Sequence, residues 1–474
     1  MNAHNGTSPA TLTSALDIAL AESVKTALPT TLGELGDLVR IPSVAWDGFD
    51  HALVQRSAEA IADLARGTGV FENVSISHAR LPDSDELGQP AILATRPAKN
   101  GAPTVLLYAH HDVQPPGAEA DWDTPAYEPT VIGDRLYGRG AADDKAGVMS
   151  HIAAIRALRD AAGEDFDLGL TLFIEGEEEF GSRSFANFLV QHRSELAADA
   201  IVVADSNNWD ELTPALTVAL RGNVTFRLTV RTLDHASHSG MFGGAVPDAM
   251  LATVRLLDTL WDEQGSVAVA GLISRDAQTP AYDEAQLRAE TGLSEGVSPI
   301  GTGSILGRIW DKPSISITGI DAPSVQNASN TLIPAVSVRV SVRIAPGQDA
   351  EQAAEAIATH LRAHAPYGAQ LSIDDVDTGS PFLVDTSHPL VAAAKQAMAD
   401  AWQVAPVELG IGGSIPFIAD LVREFPEAAI LVTGVEDPHS RAHSPNESLH
   451  LGVFERSTLA EALLLGRLNE SAGK

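Results

Sequence analysis

Four short apolar runs, at 104–108, 170–174, 201–204 and 429–433, each end at or shortly before histidine or acidic residues. That coincidence constrains the chain more than any other feature. YAHHDVQP (108–115) follows the first run, EGEEEFGS (175–182) the second and Asp205 the third, while SRAHSPNE (440–447) comes shortly after the fourth. A fifth motif, GRGAADDKAG (138–147), leads into a helical pattern in which Val148, Met149, Ile152, Ile155 and Leu158 share one face. Strand-like runs alternating with helical ones predict an α/β fold with a mostly parallel sheet and helices on both of its faces. In an open sheet of that kind, ligands gather beyond the carboxyl ends of the strands. His110, Asp143, Glu178, Glu179, Asp205 and His443 are therefore candidates for one shared site. Two imidazoles with several carboxylates suit one or two zinc- or manganese-like ions.

The 474 residues exceed what a single hydrophobic core normally supports, so two domains are expected. Apolar runs interrupt near 220. There Val224, Phe226, Leu228 and Val230 alternate with polar residues, as do Val336, Val338, Val340, Val342 and Ile344 further on. Between these two strands lies a helix with Met250, Leu251, Val254, Leu257 and Trp261 on one side, then a short strand at Ile315 and Ile317. A helix over 350–363 and a strand around Leu371 and Ile373 complete the order β-α-β-β-α-β, a ferredoxin-like α+β unit. Residues 262–312, rich in Gly, Ser, Asp and Glu, are an insertion in it. The α/β pattern returns after 385. A metal-binding domain of 1–215 and 385–474, interrupted by an inserted domain of 216–384, follows.

The net charge of −32 disfavours nucleic acid and anionic membranes as partners. With no cysteine, any metal must be held by nitrogen and oxygen, and a cysteine nucleophile is excluded. Asp17, Glu22 and Lys25 break the first apolar stretch, and no run reaches the roughly 20 apolar residues of a membrane span. A cytoplasmic protein is expected.

Taken singly, the motifs have ordinary explanations: a surface His–Asp pair, a helix-capping DDK cluster, a solvated acidic loop. In His110-His111-Asp112 the first and third side chains of an extended segment point the same way, so Asp112 can orient the His110 ring while His111 faces away. One carboxylate of Asp143-Asp144 can bridge two ions, its neighbour being paired with Lys145. Three successive glutamates, Glu177 to Glu179, repel one another unless a cation offsets them. His439 competes with His443 as the histidine of the last motif.

These motifs resemble those of the aminoacylase/carnosinase family of co-catalytic metallopeptidases, in its cytosolic non-specific dipeptidase branch, over nearly the whole chain. The resemblance implies two divalent metal ions per subunit, zinc first, with manganese or cobalt as alternatives. By matching position, His110, Asp143 and Asp205 resemble the ligands of one ion, and Asp143, Glu179 and His443 those of the other. Glu178 resembles the general base, with Glu177 leaving a one-residue ambiguity, and Asp112 the residue that orients His110. It also implies a cis peptide bond after Asp143. In the inserted lid domain, SHSGMFGG (237–244) resembles the motif whose histidine, here His238, reaches a partner subunit's active site. Arg343, with Arg339 as an alternating neighbour, Thr331 and Ser414 resemble substrate contacts. The implied activity is hydrolysis of dipeptides or short peptides with a free C-terminal carboxylate, by a homodimer joined through the lid. An N-acyl-amino-acid deacylase or carboxypeptidase-like amidohydrolase is the alternative. A non-catalytic metal-binding scaffold dimer is the remote one.

Overall fold

Residues 10–413 and 416–471 are described by the computed structural model, and the chain divides into two units. The first comprises Met1–Val218, Val384–Leu409 and Asp420–Lys474; the second comprises Ala219–Leu383 and Gly410–Ala419.

Four strands, Gly169–Glu175, Thr104–His110, Ala200–Val203 and Ala429–Val432, form the parallel centre of a mixed nine-stranded sheet. Apart from Thr104, every residue in them is buried. Strands covered on both faces have no solvent side to require polar alternation, which is why they read as unbroken apolar runs. The flanking pairs, Asn73–Ser77 with Ala91–Arg96 on one side and Ala215–Leu220 on the other, are antiparallel. Tyr108, Val203 and Val432 lie in register, so three chains leave the sheet at one edge, with His110 opposite Glu175 beside them.

Helix Lys145–Ala162 packs against both Ala15–Val39 and Leu451–Ser471, which also touch each other. Ser14 caps the first of these by accepting from the Asp17 N–H at 2.9 Å. His151 sits beneath the sheet edge with Nδ1 2.9 Å from Glu461 and Nε2 3.0 Å from the Tyr108 carbonyl. Both neighbours are acceptors, which favours a ring carrying a proton on each nitrogen. Burial pushes its pKa down, but the Glu461 carboxylate outweighs burial and the net shift is upward.

The expected Asp144–Lys145 pair does not form. Lys145 instead donates to the carbonyls of Leu38 (2.9 Å) and Ile41 (2.7 Å). Leu38 is in the last turn of Ala15–Val39 and Ile41 just beyond it; the negative end of the helix dipole lies there and draws the ammonium away. Asp144 accepts from the His110 N–H at 3.1 Å.

In the second unit the strand order is Ser314–Asp321, Ala335–Ile344, Gly222–Arg231, Gln370–Gly379, all antiparallel, with helices Ala249–Asp258 and Ala350–Ala363 supplying the β-α-β-β-α-β order. This is a ferredoxin-like sheet. Its apolar face, Val224, Phe226, Leu228, Val230 and the valines of Ala335–Ile344, packs against Ala249, Ala252, Leu256, Ala353, Ile357 and Leu361. The inward stripe of Ala249–Asp258 thus differs from the sequence expectation. Leu251 and Val254 are exposed, at 44% and 57%. Ala249, Ala252 and Leu256 face the sheet, while Met250 and Leu257 of the expected stripe pack partly against it; small side chains let the helix lie close over a face already filled by valine and phenylalanine. No helix among the described residues is long and apolar enough to cross a membrane.

Candidate metal centre

Five loops at the sheet edge bring their acidic and imidazole groups together. His110, Asp143 and Asp205 form one group, and Asp143, Glu179 and His443 another; within each, the possible ligand atoms all lie within 4.8 Å of one another. Asp143 belongs to both. Its Oδ1 is 3.1 Å from His110 Nε2 and its Oδ2 is 3.1 Å from His443 Nε2. Asp205 approaches His110 Nε2 at 3.8 Å and Glu179 approaches His443 Nε2 at 3.2 Å. Glu178 belongs to neither group but reaches within 4.0 Å of His110 Nε2.

Local structure explains each placement. Glu178–Phe180 is one turn of 3-10 helix, whose first N–H groups have no helical acceptor. The Asp112 carboxylate takes them, accepting from Glu178 N and Glu179 N at 3.0 Å each. The same carboxylate lies 3.4 Å from His110 Nδ1, and the Asp112 carbonyl lies 3.1 Å from it. Asp112 therefore couples the His110 ring to the glutamate turn. His111 does face away, toward the Pro90 carbonyl at 2.9 Å, and burial lowers its pKa to about 4. Glu177 points elsewhere, accepting from Ser184 N at 2.7 Å and Gln89 N at 3.2 Å. The Asp143–Asp144 peptide bond is cis, and His443 holds a left-handed backbone, φ 61°, a conformation uncommon outside glycine.

The electrostatics ask for a cation. Asp143, Glu178, Glu179 and Asp205 meet the imidazoles of His110 and His443, and Glu436 feels the charges of Asp143 and Asp205. Burial and then mutual repulsion raise Asp205 to about 7 and push Glu178, Glu179 and Glu436 upward as well. Asp143 is pushed up by burial, yet His110 and His443 hold it below the usual carboxylate range. His443, hydrogen-bonded to Asp143 and Glu179, rises to about 11. Without metal the site would thus gather protons as its counter-charge. Divalent cations would supply that charge on nitrogen and oxygen donors of a suitable kind.

Several supporting residues had no sequence signal of their own. Gln114 donates to Glu179 at 2.6 Å. Glu447 accepts from the Ala142 and Asp143 N–H groups, at 3.0 and 3.1 Å, and from Arg139 at 2.6 Å. Glu447 lies inside the quoted SRAHSPNE motif, but nothing in its spacing ties it to Asp143. A third acidic group, Glu211, Asp437 and His439, takes His439 out of the centre. Arg135 already answers its charge, at 3.0 Å from Glu211 and 2.8 Å from Asp437.

On the second unit, His238 and Thr331 are register partners in a two-residue ladder. The Gly240 N–H donates to His238 Nδ1 at 3.0 Å, which leaves the ring proton of the neutral form on Nε2, exposed. Arg343 is half-buried on Ala335–Ile344, between Ser314 and Asn223 of the adjoining strands. Arg339 is exposed and donates to Thr225 at 3.2 Å. Ser414 lies outside the described residues.

Comparison with known proteins places the chain in a family. Peptidase family M20/M25/M40 matches residues 106–466. A cysteinylglycine-S-conjugate dipeptidase of Corynebacterium striatum is 32% identical, over 84% of this chain and 88% of its own length. A β-Ala-His dipeptidase of Rattus norvegicus is 28% identical over 82% of each chain. The structure of the dipeptidase Dug1p from Saccharomyces cerevisiae superposes with a TM-score of 0.72 at 25% identity, covering 97% of this chain and 99% of that one. Human carnosine dipeptidase 1, at 23% identity and a TM-score of 0.70 over 98% of this chain and all of its own, shares the fold. The chain belongs to peptidase family M20/M25/M40 and is a metallopeptidase.

Proposed function

We propose that this protein hydrolyses the amide bond of dipeptides or short peptides with a free C-terminal carboxylate, using two divalent cations that share Asp143. The observation that carries the proposal is the pair of overlapping donor groups at the sheet edge, His110–Asp143–Asp205 and Asp143–Glu179–His443. The dipeptidase activities of its relatives support the substrate class. Bound there, such ions, zinc first and manganese or cobalt as alternatives, would polarise the scissile carbonyl and make water more acidic.

The chain's own residues supply the rest. Glu178 takes the proton of the attacking water and passes it to the leaving amine, acting first as base and then as acid. Its place beside both donor groups, with burial raising its affinity for a proton, supports that role. Asp112 keeps His110 and the glutamate turn in a fixed relation, so the base and the ligands keep their spacing. The inserted domain, 216–384, acts as a lid. Its His238 carries a donor proton on Nε2 for the tetrahedral oxyanion, and Arg343, Thr331 and Ser414 contact the substrate. In a homodimer joined through that domain, each lid serves the partner's metal centre. The exposed Met241, Phe242, Leu251 and Val254 are suited to being covered in such an assembly.

Turnover of a dipeptide panel and of N-acetyl-amino acids, by metal-stripped protein reloaded with zinc, manganese or cobalt, tests the proposal. Cleavage of acetylated amino acids alone would replace it with a deacylase, and no turnover by fully loaded protein would refute it. Mixing an inactive His238→Ala chain with an inactive Glu178→Ala chain tests the lid. One site of each heterodimer would hold both native residues, so random reassortment restores up to about a quarter of the native rate. No recovery after demonstrated subunit exchange would refute the crossed arrangement.

A further inference from the structure

Arg221 immediately precedes the strand Gly222–Arg231 and is 8% exposed. Its Nε donates to the Gly412 carbonyl at 3.1 Å; its Nη1 donates to the Lys312 carbonyl at 3.3 Å and to Ser314 Oγ at 3.1 Å, and reaches the Arg308 carbonyl at 3.5 Å. One guanidinium thus joins the helix Ile305–Trp310, the start of the strand Ser314–Asp321 and the loop after Val407–Ile411. Gly412 fits the close approach. A Cβ there would stand 3.1 Å from Arg221 Nη2 and 3.3 Å from the Ile309 carbonyl, so a larger residue would require the guanidinium or the loop to shift by a few tenths of an ångström.

Every acceptor of Arg221 is neutral. Among the described residues no carboxylate pairs with it, nor with Arg343; burial first, and then the charge of Arg343, lower Arg221 to about 10. Arg343 is in register with Ser314, to which Arg221 is hydrogen-bonded. In a chain with 63 acidic against 31 basic side chains, two neighbouring arginines without a carboxylate stand out. A buried charge is normally paired, so this positive charge is available to an anionic ligand.

We infer that Arg221 is the positioning residue of a carboxylate subsite: it sets the Gly412 loop and the start of Ser314–Asp321 around Arg343, and its own charge, unanswered by the protein, adds to the attraction for the substrate's terminal carboxylate. The inference rests on the proposed peptide hydrolysis and deepens it. Selection falls on the free carboxylate, which Arg343 meets and Arg221 supports from behind.

The test compares a dipeptide with its C-terminal amide, using the metal-loaded full chain and the variants Arg221→Gln, Arg221→Lys and Arg343→Gln. Arg221→Gln is expected to raise KM for the dipeptide about 10- to 100-fold, the worth of a charge-assisted contact, with kcat within a few-fold. The amide's kcat/KM should stay near the native value, and Arg221→Lys should fall between. Inhibition by the free amino acid product should weaken in parallel. Thermal midpoints check folding; if Arg221→Gln proves unstable, Arg221→Lys and product inhibition carry the comparison. Equal losses on dipeptide and amide, or a fall in kcat at constant KM, would overturn the role of Arg221. A native enzyme that cleaves both equally, or neither, instead overturns the carboxylate-dependent dipeptidase reading itself, and this inference with it.

Discussion

Replacing Arg135 by methionine should destabilise the first unit by about 3–5 kcal/mol, the usual cost of leaving one partner of a buried ion pair behind. Arg135 lies at the base of the loop that carries His443. Its Nη2 donates to Asp437 at 2.8 Å and to the Ser448 carbonyl at 3.1 Å, its Nε donates to Ser448 Oγ at 2.8 Å, and its Nη1 donates to Glu211 at 3.0 Å. The Asp437 side chain is wholly buried, whereas that of Glu211 is 38% exposed. The Glu211 contact is therefore screened and contributes no more than about 1 kcal/mol, so Asp437 dominates. Methionine preserves most of the stem's packing and removes only the charge and the donors. The assay is urea unfolding of metal-stripped protein at pH 7, followed by circular dichroism, with midpoint and slope compared between variants. Adding Asp437→Asn should recover part of the loss, because it removes the charge that Arg135→Met strands. The loss of Arg135 also leaves Glu211, Asp437 and His439 without a counter-charge, so added zinc should stabilise Arg135→Met by more than it stabilises the native chain. Stability within about 1 kcal/mol of native, or additive effects of the two substitutions, would refute the claim that these charges are buried and coupled.

Three further outcomes are expected. Glu178→Ala should lower kcat by at least about 10²- to 10⁴-fold while metal content stays near native, because a proton carrier is lost and no ligand is; loss of an ion there, with both kept in Glu179→Ala, would reverse the assignment of the two glutamates. Because the His151 pKa is raised in the folded protein, its pairing with Glu461 stabilises fully below the unfolded histidine value of about 6.5, and that stability is lost as pH rises through the folded value. The stability gap between native protein and Glu461→Gln should therefore be widest near pH 6, below the unfolded value, and narrow as pH rises through the folded value; a gap that widens with pH would contradict the raised pKa. Leu251→Asp with Val254→Asp should convert the proposed dimer to monomer by light scattering without lowering the unfolding midpoint, whereas a stable dimer would show that this face is not the one covered.

The parallel strands were legible in the sequence because burial on both faces leaves a continuous apolar run, and the strands of the inserted unit because burial on one face leaves an alternation. The site motifs were legible for a related reason. Side chains with nothing apolar to gain sit where those runs stop, as His110 and Asp205 do. The periodicity misplaced part of one helix face. In Ala249–Asp258 the expected stripe includes Leu251 and Val254, but periodicity alone cannot weigh it against the adjoining stripe of Ala249, Ala252 and Leu256 when both fit a helical turn.

By itself, then, the sequence determined the kinds of element, their order and the chemistry available at the strand ends, since these depend on local periodicity and residue type. The tertiary structure decided which groups meet. Glu447 grips the Asp143 loop from 304 residues away, Arg135 holds Asp437 from 302, and Lys145 leaves its neighbour Asp144 for the carbonyls of a distant helix end. Hydrogen bonds and ion pairs act over about 3 Å of space irrespective of chain separation, and only the folded sheet and its packed helices bring such partners within that distance.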